Sequence, residues 1–215
     1  WAPALPAVVD EAGALEMGRR RVPGAHGELS EDDRVGQMSS GQDEPGEQVL
    51  LALTDLPHQQ SLGLWHWPIT HPLLALGTPG SGRSTLVASA AMGALRSGRG
   101  VHLCGLSSPK ADGAGIGSAS GVQRLLTHPA VGTVVGAEDP RRLVRLWSLA
   151  ASGRLSDDLL CLDNVDALIP AVDEVLGPGQ GNALLEAIIR TASATSMSLL
   201  LTAPLVASTS RWAGS

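Results

Sequence analysis

The sequence predicts an α/β fold, a mostly parallel sheet with helices on both faces. Three observations point to it. Short apolar runs alternate with helical patterns from residue 48 onward. A glycine-rich phosphate-loop pattern lies between one such run and a helix. Further on, the buried-strand pattern Leu159-Leu160-Cys161-Leu162 ends in Asp163.

Taken in order, Val49-Leu50-Leu51-Ala52-Leu53 and residues 61–67 are strand candidates. Residues 71–76 form a third short apolar run, followed by the loop and a helix over 84–95. A strand is expected over 101–106, a glycine-rich loop over 112–121, a short helix over 121–126 and a strand over 131–135. Asp139-Pro140 opens the next helix, with an acid at the N-cap and proline at the first position. Leu143, Val144, Leu146, Trp147 and Ala150 form its apolar stripe. After the strand at 159–162, a helix over 182–195 turns Leu184, Leu185, Ile188, Ile189 and Ala192 inward, and a last strand covers 198–201. Strands alternating with helices of this length need crossover connections, hence parallel pairing.

Gly77-Thr78-Pro79-Gly80-Ser81-Gly82-Arg83-Ser84-Thr85 fits the pattern G-x-x-x-x-G-K-[ST] at every position but one. The glycines let the backbone curl so that its N–H groups face phosphate oxygens, and the following helix N-terminus adds partial positive charge. Ser84 is placed to offer its hydroxyl to Mg²⁺. Arg83 stands where lysine is usual; its guanidinium is wider and planar, so it neutralises phosphate in a different geometry.

Asp163 is the second half of this site. A buried strand would deliver its carboxylate beside the loop, to hold a Mg²⁺-bound water; the alternative is a helix cap at a strand end. Hydrolysis also calls for an acid or water-orienting group. The position after Asp163 is Asn164, whose amide is no proton acceptor. Asp166 faces the same side as that position only if the chain stays extended. Thr202, following the last strand, reads either as a sensor of the terminal phosphate or its water, or as a turn former.

Composition bounds the rest. The 215 residues and 43% hydrophobic content suffice for one domain with a sizeable core. A net charge of -6 argues against sequence-independent nucleic-acid binding by the whole surface. Five Trp with no Tyr or Phe leave little for a base-stacking platform; Trp65 and Trp67 on one strand face point to packing instead. Cys104 and Cys161 fall in apolar strands and read as buried reduced thiols of a cytosolic protein. The six histidines are scattered, and His102 with Cys104 makes too few ligands for a metal. No apolar run is long enough to span a bilayer. Residues 1–46 hold Arg19-Arg20-Arg21, Glu31-Asp32-Asp33 and a polar stretch at 39–46, and read as a linker or loosely packed lead-in, with a short turn expected between Leu5 and Leu15. The opening at Trp1 suggests a piece of a longer chain.

The ordered set resembles the FtsK/SpoIIIE family of P-loop ATPases, closest to the tandem ATPase domains of the type VII secretion EccC/EssC group. It rests on Ala52-Leu53-Thr54-Asp55-Leu56-Pro57-His58-Gln59-Gln60, the phosphate loop, Leu126-Thr127-His128-Pro129-Ala130-Val131-Gly132, Glu138-Asp139-Pro140-Arg141-Arg142-Leu143, Asp163-Asn164 and Leu201-Thr202-Ala203. The resemblance implies a RecA-like ATPase domain over 47–215, with ATP and Mg²⁺ as cofactors and neighbouring ATPase domains or subunits as partners. It implies a cytoplasmic location, at the membrane only through domains outside this chain. The family's last strands would follow Thr202, so the domain is expected to be truncated there. Family members drive protein export or pump double-stranded DNA. Arg83 and Asn164 depart from the active pattern, so the expected function is nucleotide binding with weak or no hydrolysis in a secretion ATPase that handles a secreted protein. A DNA-translocase motor and a non-catalytic peptide-docking module are the alternatives.

Overall fold

The computed structural model describes residues 14–17, 48–59, 61–106 and 118–205. The expectations for the arginine run, the acidic run, the polar stretch at 39–46 and the loop at 112–117 lie outside them. Residues 14–17 form a helical turn. The chain divides between Pro68 and Ile69 into two compact units.

The first unit carries an antiparallel pair, β1 (Gln48–Leu56) and β2 (Ser61–Pro68), joined through a 3₁₀ turn at Pro57–Gln59. The register shifts between Leu50 and Ala52, the mark of a bulge, and then places Trp65 opposite Ala52.

In the second unit a five-stranded sheet holds β3 (Leu73–Gly77), β4 (Val101–Cys104), β5 (Val131–Val135), β6 (Leu159–Leu162) and β7 (Ser198–Pro204) in the order β3-β7-β6-β4-β5. Every pairing is parallel. The helices are α1 (Arg83–Arg96), α2 (Ser118–Leu126), α3 (Pro140–Ala151), α4 (Val165–Leu176) and α5 (Gln180–Ala194).

The sheet has two apolar faces because successive side chains of a strand alternate. Leu160, Leu162, Leu199, Leu201 and Ala203 join one cluster with the inner faces of α3, α4 and α5. Leu159, Cys161 and Leu200 are equally buried but stand outside that cluster, toward the opposite layer. There α1 crosses β3, β4, β6 and β7 and packs with α2. Its buried positions are Val87, Ala88, Ala90, Ala91 and Ala94, small side chains that let the helix approach the sheet closely. With both faces covered, all four residues of β6 are buried, which is why it reads as an unbroken apolar run.

Several boundaries differ from expectation, each for a local reason. The loop strand begins at Leu73, after Pro72, which has no N–H for a ladder. Strand β4 stops at Cys104 because Gly105 adopts φ +78°. Strand β7 runs on to Pro204, so Thr202 lies within it rather than past its end. Helix α4 was not expected at all. Its buried residues Val165, Leu168, Ile169 and Val172 hold helical spacing, while Pro170 inside it lies on the exposed side. The Asp139-Pro140 start of α3 is as expected: the Asp139 carboxylate accepts the Arg142 N–H at 3.2 Å.

Candidate functional site

The loop leaves β3 at Gly77 and enters α1 at Arg83. Gly80 and Gly82 have φ of 80° and 90°, a region an L-residue enters at a cost of about 1–2 kcal/mol. Gly82 is the N-cap, and the Ser81 N–H closes a turn on the Thr78 carbonyl at 3.1 Å. A Cβ at Gly77 would overlap the Ser81 hydroxyl unless that side chain turned away. Residues 78–82 are exposed, as are Ser84 and Thr85 in the first turn of α1, so the helix N-terminus opens to solvent. N–H groups of that first turn have no carbonyl partner within the helix.

Strand alternation brings the other half into place. Asp163 extends the row Leu159-Cys161, and Thr202 extends the row Ser198-Leu200, so both project toward the layer of α1. Leu162 pairs with Leu201, which sets Asp163 and Thr202 side by side on adjacent strands. The Ser84 hydroxyl donates to Asp163 Oδ2 at 2.7 Å. Thr202 donates to Asp163 Oδ1 at 2.5 Å. The Asn164 N–H donates in turn to the Thr202 Oγ1 at 2.9 Å. Three residues separated by 79 and 39 positions thus form one relay across α1, β6 and β7.

Arg83 is half-buried. Its stem lies against Gly77, where a Cβ would be 3.4 Å from Arg83 Cγ. Its Nη1 is buried and has no hydrogen-bond partner among the described residues. A buried cationic donor without an acceptor costs free energy unless an anion meets it. Together with the glycine loop and the free N–H groups of the helix N-terminus, it fits a phosphate group. The donor set also fits Mg²⁺. The single proton of Ser84 goes to Asp163, which leaves the Oγ lone pairs to face a cation, and hard divalent ions take oxygen ligands of this kind. No cluster of three His, Cys, Asp or Glu suited to a metal occurs among the described residues.

The path expected for Asp166 is not followed. Asn164 turns left-handed at φ 57°, ψ 61°, and Asp166 sits in the first turn of α4 rather than on an extended chain. Two positions went unnoticed in the sequence. Gly105 ends β4 at positive φ, and a Cβ there would overlap the Asp163 carbonyl oxygen; the clue was a glycine closing an apolar strand. Glu138 lines a cavity of about 210 Å³ at the carboxyl ends of β4, β5 and β6, shared with Gly105, Val135, Gly136, Asp163 and Asn164. Only a glycine at 136 leaves room for the Glu138 carboxylate to fold over it.

Cys104 and Cys161 are free and buried. Burial raises both thiols, Cys104 to about 12, so neither is a thiolate near neutral pH. Arg141, Arg142 and Arg145 lie on the exposed face of α3. No helix among the described residues is long and apolar enough to cross a membrane.

No protein-family model and no curated protein matches the chain. Among solved structures it is similar to the cytoplasmic domain of EssC, with a TM-score of 0.52 and 17% identity over 74% of this chain and 32% of that one. It is also similar to the cytoplasmic domain of the Thermomonospora curvata type VII secretion ATPase EccC (TM-score 0.49, 13% identity, 80% of this chain and 20% of that one). A third is the pCW3 conjugation coupling protein TcpA, solved with ATPgS (TM-score 0.41, 10% identity, 73% of this chain and 60% of that one). The chain spans about a third of the EssC chain's length. With its five-stranded parallel sheet flanked by helices, the chain has an α/β RecA-like fold similar to that of the EssC cytoplasmic domain.

Proposed function

We propose that this chain is an ATP-binding domain, weak or inactive in hydrolysis, of a multi-domain FtsK/SpoIIIE-type ATPase serving type VII protein secretion in the cytoplasm. The observation that carries the reading is the Ser84–Asp163–Thr202 relay beside a buried Arg83 Nη1 that has no partner among the described residues. The backbone of residues 77–85 cradles the phosphates, and the Arg83 guanidinium neutralises them. Ser84 and Asp163 would hold Mg²⁺, which when bound would offset phosphate charge. Slow turnover follows from Asn164, which offers no carboxylate at the position after Asp163, and from Asp166 being carried into helix α4. Neighbouring ATPase domains and a secreted protein are the partners this reading assigns. The net charge of -6 favours it over a duplex-DNA motor.

ATP titrated into the chain with and without Mg²⁺ tests the reading. Binding that depends on Mg²⁺, and that falls at least about tenfold in Ser84→Ala and Asp163→Ala, is the expected result. Affinity unchanged in both variants would remove it. Hydrolysis stimulated by duplex DNA would instead favour the motor.

A further inference from the structure

We infer that Thr202 is a positioning residue of the nucleotide site, acting through Asp163 and Asn164, and does not sense the terminal phosphate. The inference rests on the nucleotide-binding reading above, but its geometry stands apart from any ligand. Thr202 is fully buried in β7. A threonine hydroxyl has one proton to give. Here that proton goes to Asp163 Oδ1 at 2.5 Å, while a lone pair of the same oxygen takes the Asn164 N–H at 2.9 Å. A phosphate oxygen is an acceptor and needs a donor; Thr202 has none left. A sensor of the terminal phosphate must hold a donor in reserve.

What the hydroxyl does instead is mechanical. By fixing Oδ1 it sets the rotation of the carboxylate, and so directs Oδ2 at Ser84. By accepting the Asn164 N–H it anchors a non-glycine residue at φ 57°, the point where β6 turns into α4. Asparagine tolerates this left-handed conformation better than most residues. The residue after the strand-end acid is therefore suited to the turn, and the turn is held by Thr202.

Two readouts on Thr202→Val, Thr202→Ala and Thr202→Ser test this. The first needs no nucleotide: amide hydrogen exchange at Asn164, followed by NMR. The amide is expected to be protected in the wild-type chain, to exchange at least about tenfold faster in the Val and Ala variants, and to stay protected in the Ser variant. The second is the affinity for fluorescent ATP and ADP analogues with Mg²⁺. Val and Ala are expected to weaken both nucleotides by the same factor, about tenfold, and Ser by less than about twofold. An Asn164 amide that exchanges freely in the wild-type chain overturns the inference, whether or not any variant folds. So does a loss confined to the ATP analogue with ADP unchanged. If the wild-type chain binds neither nucleotide, the proposed function falls, and the exchange measurement alone decides the role of Thr202.

Discussion

The two ends of the parallel sheet both carry a polar cluster on the same central strands, yet the two are built differently. At the carboxyl end, Ser84, Asp163, Thr202 and the Asn164 N–H are linked by bonds of 2.5–2.9 Å, and the nearby cation, Arg83, keeps a buried Nη1 without a partner among the described residues. At the amino end the cation's Nη1 is already met by protein oxygen atoms. Arg99 Nη1 donates to the Asp157 and Ser196 carbonyls at 3.3 and 3.2 Å and to the Ser198 hydroxyl at 3.4 Å. His102 and Asp158 pair beside it at 3.3 Å. Arg99 Nη1 ties loops to the sheet, whereas Arg83 Nη1 meets no acceptor among the described residues. What sets the two clusters apart is whether the cation's Nη1 is already met by protein oxygen atoms.

The comparison breaks most visibly at the backbone. Gly105→Ala would force a Cβ into the Asp163 carbonyl at a positive φ, so we expect a loss of about 2–4 kcal/mol in urea unfolding, with nucleotide affinity falling alongside. Wild-type stability in this variant would show that the carboxyl end tolerates movement. The amino end should answer differently. Arg99→Ala is expected to cost about 1–2 kcal/mol of stability while leaving nucleotide affinity within about twofold. A drop in affinity there would erase the distinction between the two ends.

Smaller still is the His102–Asp158 pair. Both side chains are partly exposed, so Asp158→Asn should change stability by less than about 1 kcal/mol. The buried thiols sharpen the account of the core between the ends. Burial raises Cys104 from the ordinary 9.0 to about 12, and Cys161 in the same direction. The unfolded chain therefore forms thiolate first. The stability these thiols contribute is complete below pH 9 and falls as pH rises from there toward 12. Neither cysteine should react with a thiol reagent at pH 8 until urea unfolds the chain; prompt labelling of the native protein would contradict the packing described.

Much of this was legible in the sequence, and the illegible parts have physical causes. The glycine loop into α1 and the Asp139-Pro140 helix start announce themselves through residue types that few other structures require. Strands β5 and β6 were found at their observed bounds because both are short apolar runs with breakers on each side. Helix α4 was hidden by Pro170, which removes one internal N–H, yet it survives because the proline lies outward while Val165, Leu168, Ile169 and Val172 hold the core. Each residue of the relay was visible as a candidate. The meeting of Asp163 with the loop of Ser84 was expected, but the direct bond from Thr202 was not, since it depends on β7 being inserted between β3 and β6. The role of Thr202 was beyond reach for the same reason: donor and acceptor duties exist only once the partners are placed.

The most direct test of the central claim is a parallel titration of ATP and Mg²⁺ into the wild-type chain, Arg83→Ala and Arg99→Ala. The account predicts at least about a tenfold loss of affinity in Arg83→Ala with no loss of stability, and near wild-type affinity in the less stable Arg99→Ala. Equal affinity in Arg83→Ala and the wild-type chain would contradict it, because the buried Nη1 would then have no anion to meet.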